Sequence, residues 1–130
     1  MNQSGNAQEV VRRFWDRVEA RDWNGAAGLL AEDFVAEWPH SRERFRGRDT
    51  YIAMNRAYPE GWRIEVKRVI EEGDVVACEV RVPFGDLVSH LAGFYEVHDG
   101  LIRRGTEYWV DEGGQEPPEW RRPFSELITS

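Results

Sequence analysis

The first half of the chain carries apolar residues at helical spacing. Between residues 7 and 21 they recur at intervals of three and four, with charged residues on the rest of the wheel, which predicts an amphipathic helix of about four turns. A second, shorter helix is predicted over residues 23–33, "WNGAAGLLAED", after Asp22, whose side chain can cap it. A third is predicted over residues 47–61, capped near Asp49 or Thr50 and stopped by "PEG".

Elsewhere the apolar pattern alternates, as it does in strands. The run "FVAEW" at residues 34–38 predicts a strand, and Pro39 closes it because proline has no N–H for a central ladder. After Gly61, four strand-like runs follow, joined by glycine-containing turns of which "HDGL" is a strong hairpin signal. Successive runs should pair antiparallel. The fold class predicted is α+β, with three helices packed on a strongly curved, mainly antiparallel sheet.

Length and composition indicate one domain over residues 1–130, since 41% hydrophobic residues are enough to build a core. Residues 112–130 contain three prolines beside the apolar Trp120 and Phe124. This tail is interpreted as a C-terminal arm that lies over the body or over a partner subunit.

Charge and cysteine content limit the kinds of partner to be expected. The net charge of -7 repels phosphate backbones and anionic lipid heads, so we expect no nucleic acid and no membrane as a partner. Cys78 is the lone cysteine, and no clustering of cysteine with histidine suggests a metal, so no metal site is expected. The chain has no apolar run of about 18 residues, and its start lacks the features of a signal peptide. A cytoplasmic protein is expected.

The order of these segments resembles a known family. An amphipathic first helix, then "RDWNGAAGLLAEDFVAEWP", then strands containing "FYEVHDGLI" and "TEYWVD" are similar to the nuclear transport factor 2-like superfamily, in its SnoaL-like branch. The resemblance covers about residues 7–111 and implies a cone of three helices and a bent sheet around a mostly apolar pocket. Its members include ketosteroid isomerase, polyketide cyclases, limonene epoxide hydrolase, dehydratases and non-catalytic binding proteins, so the fold alone does not determine the function.

The resemblance also identifies catalytic groups that this chain lacks. The general base of ketosteroid isomerase is an aspartate just before the proline that ends the first strand, and Trp38 stands there. The isomerase's oxyanion pair, a tyrosine and a protonated aspartate, falls on Phe14 and about Gly93. Steroid-type isomerisation by that machinery is therefore disfavoured.

One catalytic acid of the family does have a counterpart in this chain. Polyketide cyclases and limonene epoxide hydrolase place an acid on the final strand, in a segment similar to "TEYWVD", and the matching residue is Glu107. A buried carboxylate with a raised pKa could remove a proton alpha to a carbonyl or activate water. The hydrolase's Arg and Asp, one residue apart, correspond to Glu79 and Arg81 in the opposite order, and the cyclase's histidine falls near Gly93.

Strand parity leaves two alternatives for each of these charged residues. Glu107 shares a face with Gly105 and Trp109; it is a candidate base if that face lines a pocket, and solvated or paired with Arg81 or Arg103 if it does not. Glu79 and Arg81 share a face too. They form either a surface salt bridge or a polar pair in the pocket that clamps a polar substrate group.

Several aromatic residues are candidates for the pocket wall, although most of the aromatics need serve only the core. By parity and by the resemblance, the candidate ligand-binding residues are Phe14, Trp38, Tyr58, Tyr95 and Trp109. His40 follows Pro39 at the expected mouth and is a weaker catalytic candidate. The charged run "SRERFRGRD" is interpreted as a solvated loop that could attract an acidic substrate.

Two hypotheses of function follow. The first is a cofactor-free cyclase, isomerase or dehydratase of the SnoaL-like type, in which Glu107 transfers a proton on a small apolar or aromatic molecule. The alternative is a non-catalytic protein that only binds such a molecule; a weaker third is an interaction module with an exposed sheet face. A homodimer is expected, because a long antiparallel face must be covered or charged.

Overall fold

The computed structural model of the protein describes residues 4–129. The first helix, α1, spans Ser4–Glu19 and buries the predicted apolar stripe, from Val11 to Val18. It ends earlier than residue 21, because Arg21 takes a left-handed backbone conformation with φ of 61° that a helix does not allow.

The other two helices end before their predicted last residues, 33 and 61. Helix α2 spans Trp23–Ala27, and the Asp22 carboxylate accepts a hydrogen bond from the backbone N–H of Gly25 at 2.9 Å, as predicted. Helix α3 spans Arg48–Ala57. Its cap is Gly47, with φ of 90°, rather than Asp49 or Thr50; this left-handed conformation favours glycine and turns the chain sharply from the sheet into the helix.

Six strands form one open sheet in the order β2-β1-β6-β5-β4-β3. Their bounds are β1 Leu30–Trp38, β2 Glu43–Arg46, β3 Glu65–Glu72, β4 Val75–Phe84, β5 Leu87–His98 and β6 Leu101–Asp111. Neighbours pair antiparallel except β1 and β6, which are parallel. The predicted α+β class and the mainly antiparallel sheet are confirmed. The prediction of a loop for the charged run was wrong at β2, which is a short, mostly exposed edge strand. Its charged residues interrupt the apolar alternation by which a strand is recognised in a sequence.

The helices cover the inner face of this sheet, and the core lies between the two layers. The outer face leaves large apolar side chains exposed, among them Ile70, Phe94, Tyr108 and Val110. A 3₁₀ helix, Glu119–Phe124, follows the last strand, and its Trp120 and Phe124 are mostly exposed. None of the helices in the described residues has the length and apolar character to cross a membrane.

Candidate functional site

Glu107 is the one charged residue that the described part of the chain buries completely. Its carboxylate accepts hydrogen bonds from three neutral donors. The indole Nε1 of Trp38 donates to Oε1 at 2.9 Å, and the hydroxyls of Tyr51 and Tyr95 donate to Oε2 at 2.7 Å and 2.5 Å. The alternative in which Glu107 is solvated or paired with Arg81 or Arg103 is therefore wrong.

Two glycines make room for the Tyr95 hydroxyl. Gly93 lies directly opposite Glu107 in the β5–β6 pair, and Gly105 lies opposite Tyr95. A Cβ added at Gly93 would lie 2.6 Å from the Tyr95 hydroxyl, and one added at Gly105 would lie 2.8 Å from the Tyr95 ring. The ring of Tyr95 therefore occupies the space that side chains at both positions would fill, and this brings its hydroxyl to Glu107.

The other two donors come from β1 and α3. Glu37 is in register with Thr106 in the parallel β1–β6 pair, so Trp38 and Glu107 are neighbours across these strands. Tyr51 is buried on α3 with its ring 4.9 Å from that of Phe34, which fixes the direction of its hydroxyl. Three separate elements thus converge on one carboxylate.

A cavity of about 190 Å³ opens between α1, α3 and the inner face of the sheet. Its walls are mostly apolar, and their aromatic part comes from Trp15, Trp38, Tyr58, Trp62, Phe84 and Trp109. Its polar lining residues are His40, Asn55, Ser89 and Asp111. Glu107 does not line the cavity; it is covered by Trp38, whose indole lines the cavity and donates to the carboxylate.

The candidate wall residues divide into two groups. Trp38, Tyr58 and Trp109 line the cavity, and so does His40, whose ring stacks on Trp38 with centroids 5.6 Å apart. Phe14 and Tyr95 do not line it. Phe14 is packed in the core against Trp15 at 5.0 Å, and Tyr95 is directed over the glycines towards Glu107.

Glu79 and Arg81 do not face the cavity, which corrects the pocket alternative for this pair. Both lie on the outer face of β4, where each pairs with β3. The Glu79 carboxylate is 2.7 Å from the Arg68 guanidinium, and the Arg81 guanidinium is 2.9 Å from the Glu65 carboxylate. All four side chains are more than a third exposed, so these ion pairs are of the surface kind that contributes little to stability.

Burial governs the proton affinity of this cluster. Loss of solvent raises the pKa of the Glu107 carboxyl, and the hydrogen bonds from Tyr95, Tyr51 and Trp38 oppose that rise. Burial and the nearby Glu107 charge raise the pKa of both Tyr51 and Tyr95 well above the usual 10.0, so both phenols keep their protons and remain donors. Burial likewise raises the pKa of the Cys78 thiol to about 12.

Comparison with known proteins agrees with this architecture. Residues 11–105 match the family model of the SnoaL-like domain. The chain belongs to the SnoaL-like family. A candidate ketosteroid isomerase from Kribbella flavida DSM 17836 is 33% identical, with a TM-score of 0.89 over 100% of this chain and 95% of that one.

Two more distant structures share the fold. An NTF2-like protein of unknown function from Burkholderia xenovorans LB400 is 23% identical, with a TM-score of 0.78 over 98% of this chain and 99% of that one. An LEH-like epoxide hydrolase from M. tuberculosis is also 23% identical, with a TM-score of 0.71 over 84% and 86%. The search of curated proteins gave no match.

Sequence reasoning missed Tyr51, Trp15 and Trp62 in this SnoaL-like domain. Tyr51 donates to Glu107, while the two tryptophans line the cavity. Tyr51 could not be placed from the sequence, because the helix that carries it follows β2, and β2 was predicted as a loop; in the structure this helix brings Tyr51 against Phe34 of β1. For Trp62, which stands between elements and bridges to Phe84, no periodic pattern was available.

Proposed function

We propose that this SnoaL-like domain binds a small apolar or aromatic molecule in the cavity and transfers a proton on it through Glu107. The reaction would be a cofactor-free isomerisation, cyclisation or dehydration. The observation that supports this best is a completely buried carboxylate, held by three neutral donors, beside an aromatic cavity.

A completely buried carboxylate opposes folding, so a purely structural role does not favour one at this position. Removing an ionised carboxylate from water costs several kcal/mol even after a protein relaxes, and the three groups that donate hydrogen bonds to Glu107 are neutral. A glutamine could occupy the same space without that cost. A carboxyl whose pKa burial raises is, however, a stronger base once ionised, which suits proton abstraction near neutral pH.

Cavity size favours a ligand of about one ring. An engineered apolar cavity of about 150 Å³ accommodates benzene, whereas drug-sized ligands occupy pockets of roughly 300 to 1,000 Å³. The cavity of about 190 Å³ lies near the first value. Although the relative from Kribbella flavida is a candidate ketosteroid isomerase, we do not propose a steroid substrate, because Trp38, Phe14 and Gly93 carry none of the isomerase groups that the family resemblance assigns there.

The second candidate function is binding without catalysis, and the position of Trp38 favours it. Because the indole covers Glu107, a ligand in the cavity meets aromatic rings before it meets the carboxylate. Proton transfer requires Trp38 to turn aside and break its 2.9 Å hydrogen bond when the ligand enters. A pure binding protein requires no such movement.

The experiment uses 5-nitrobenzisoxazole, a flat probe that opens when a base removes its ring C–H proton and the N–O bond breaks. If Glu107 is the base, the protein accelerates the opening, and the rate follows ionisation of a group whose pKa equals that of Glu107 measured by carbon-13 NMR titration. Glu107→Gln should abolish the acceleration, whereas Glu72→Gln, at an exposed position on β3, should retain it. Binding of the probe with equal rates in wild type and Glu107→Gln would support the binding protein instead.

We also infer that two copies of the chain pair through the outer face of the sheet. The inference is supported by the exposed Ile70, Phe94, Tyr108 and Val110, which a single chain leaves in water. Sedimentation of wild type beside Phe94→Glu tests it. A dimer that dissociates in the variant is expected, and a monomeric wild type at high concentration would contradict the inference.

A further inference from the structure

Three of the tryptophans that line the cavity present only carbon atoms to it. They are Trp15, Trp62 and Trp109, and the indole nitrogen of each has essentially no accessible surface. A ligand in the cavity therefore meets the carbon surface of these rings and not their N–H groups. Ring carbon offers no ordinary hydrogen bond to an anion or a carbonyl oxygen, whereas the negative π face of an aromatic ring attracts a cation.

Trp62 already has a cation on its ring. The Arg21 guanidinium lies 3.4 Å from the ring centroid, and Arg21 itself does not line the cavity. The Glu60 carboxylate accepts three hydrogen bonds from this guanidinium at 3.0 to 3.2 Å, so the charge of Arg21 is compensated. The neighbouring rings of Tyr58 and Phe84 are inclined by 59° with centroids 6.0 Å apart. Inclined rings around one space are the arrangement of an aromatic cage, which binds a positively charged nitrogen.

A carboxylate lies beside this aromatic wall. Asp111 follows Trp109 by two residues on β6, so the two side chains share the inner face, and both line the cavity. The Ser89 hydroxyl, opposite Asp111 on β5, donates to its Oδ1 atom at 2.6 Å and orients the carboxylate. Asp111 is exposed, and its Oδ2 atom is not used in this bond. A ligand that enters the cavity can therefore reach a negative oxygen.

The charges around the cavity favour a positive ligand. In the described part of the chain no lysine or arginine lines it, and His40 is the one lining residue that can become positive. Asp111 lies at its edge, and Glu107 lies behind Trp38 with three neutral donors. The net charge of -7 also attracts cations to the chain as a whole.

We propose that the ligand is a one-ring organic cation whose positively charged nitrogen binds between the aromatic wall and Asp111. This proposal rests on the proposed function, since it takes the same cavity as the ligand site, and it names the class of ligand. The nitrogen donates to Oδ2 of Asp111 and its charge is attracted by the ring faces. The ring of the ligand fills the apolar part of the cavity, beside Met54, Ile64 and Val82.

The test compares benzylammonium with benzyl alcohol by calorimetric titration near neutral pH. The two probes have the same ring and the same number of heavy atoms, and both can donate to Asp111, so they differ chiefly in charge. We expect benzylammonium to bind about tenfold more tightly, the combined effect of a cation–π contact and a partly exposed ion pair. Equal affinities, tighter binding of benzyl alcohol, or no binding of either probe would overturn the proposal.

Two variants with the same charge change examine the carboxylate. Asp111→Asn keeps the shape of the side chain and an acceptor for Ser89, and it should reduce the tenfold preference to about threefold. Asp99→Asn, at an almost fully exposed position in the turn at the other end of β6, should leave the preference unchanged. Both positions are exposed, so neither variant should prevent folding. Equal losses in the two variants would show that net charge alone attracts the cation, and would contradict the site.

NMR of benzylammonium bound to the wild type examines the aromatic contact without any variant. Ring currents shift protons held over ring faces upfield, so the CH₂ protons beside the nitrogen should move upfield on binding. A downfield shift, or none, would contradict the contact with the ring faces.

This proposal and the proposed function can fail separately. 5-Nitrobenzisoxazole is uncharged, so its opening depends on Glu107 and not on recognition of a cation. If it is not opened while benzylammonium is preferred, the base is wrong and the cation site is supported. If it is opened but benzylammonium is not preferred, the base is supported and the cation site is wrong.

Discussion

The stability of Glu107→Gln relative to the wild type should increase as the pH rises. At high pH, the folded wild type must hold an ionised carboxylate in a completely buried site. Three hydrogen bonds to a charged group contribute about 1.5 to 3 kcal/mol each, or about 5 to 9 kcal/mol together, against the desolvation cost. The pKa of Glu107 is nevertheless raised, so the desolvation cost exceeds this gain.

The sign of the pH dependence follows from the raised pKa. In the unfolded chain Glu107 loses its proton near pH 4.3, the ordinary value for glutamate. The proton bound to Glu107 stabilises the folded state, and this stabilisation begins to decrease at about the same pH. As the pH rises to the folded pKa, the folded state binds more protons than the unfolded state, and stability falls by up to about 1.4 kcal/mol per pH unit. Above the folded pKa both states are ionised and the loss is complete. Glutamine does not titrate, so the variant does not lose this part of its stability as the pH rises.

Urea unfolding of wild type and Glu107→Gln between pH 4 and pH 9 measures the effect. The free energy of unfolding of the variant, minus that of the wild type, should increase from about pH 4.3 and then level off at the pKa that NMR titration gives for Glu107. Glu72→Gln is the exposed control, and its difference should stay within about 0.5 kcal/mol throughout. A difference for Glu107→Gln that is flat or decreases over this range would refute the reasoning.

Three further predictions concern the neighbours of Glu107. Tyr95→Phe removes one of its three donors, so it should raise the Glu107 pKa further by NMR and cost about 1.5 to 3 kcal/mol in urea unfolding above that pKa; an unchanged pKa would contradict the assigned bond. Gly93→Ala places a Cβ 2.6 Å from the Tyr95 hydroxyl and should lower the free energy of unfolding by about 1 to 3 kcal/mol, whereas Gly28→Ala, which meets no atom closer than 3.6 Å, should not; equal effects would argue against the crowding. Cys78, with a pKa of about 12, is thiolate in about one molecule in ten thousand at pH 8, so a disulfide reagent should label it only after unfolding, and rapid labelling of the native protein would contradict its burial.

The fold was predictable because its signals are local and repeated. The apolar stripe of α1 and the alternation along β3 to β6 each extend over several residues, and both patterns reappear in the buried positions. Strand β2 was missed because an edge strand needs no apolar face. The parallel pairing of β1 with β6 joins segments some 70 residues apart, and no local pattern encodes such a pairing.

The candidate site was predictable in part, because strand parity is also a local pattern. Strand parity placed Glu107 on the same face as Gly105, and the structure buries both. Parity could not decide which of the inward residues on a strand reach the cavity and which end in the core. Tyr95 was expected on the wall, but Gly93 and Gly105 leave space beside it, and the side chain folds into that space instead. Such a choice depends on the volume of side chains on the neighbouring strand.

Trp38 and Glu107 are best understood together. The family resemblance assigns a carboxylate base to position 38, and the parallel pairing of β1 with β6 makes positions 38 and 107 neighbours. Two carboxylates at this distance in a buried site could not both ionise, because like charges in a medium of low dielectric constant raise one another's pKa. A site of this geometry therefore accommodates one ionised carboxylate. In this chain it stands on β6, and the residue at position 38 supplies an N–H donor that stabilises its charge. The tryptophan at the position of the isomerase base thus gives Glu107 a hydrogen-bond partner, and the same residue forms part of the cavity wall.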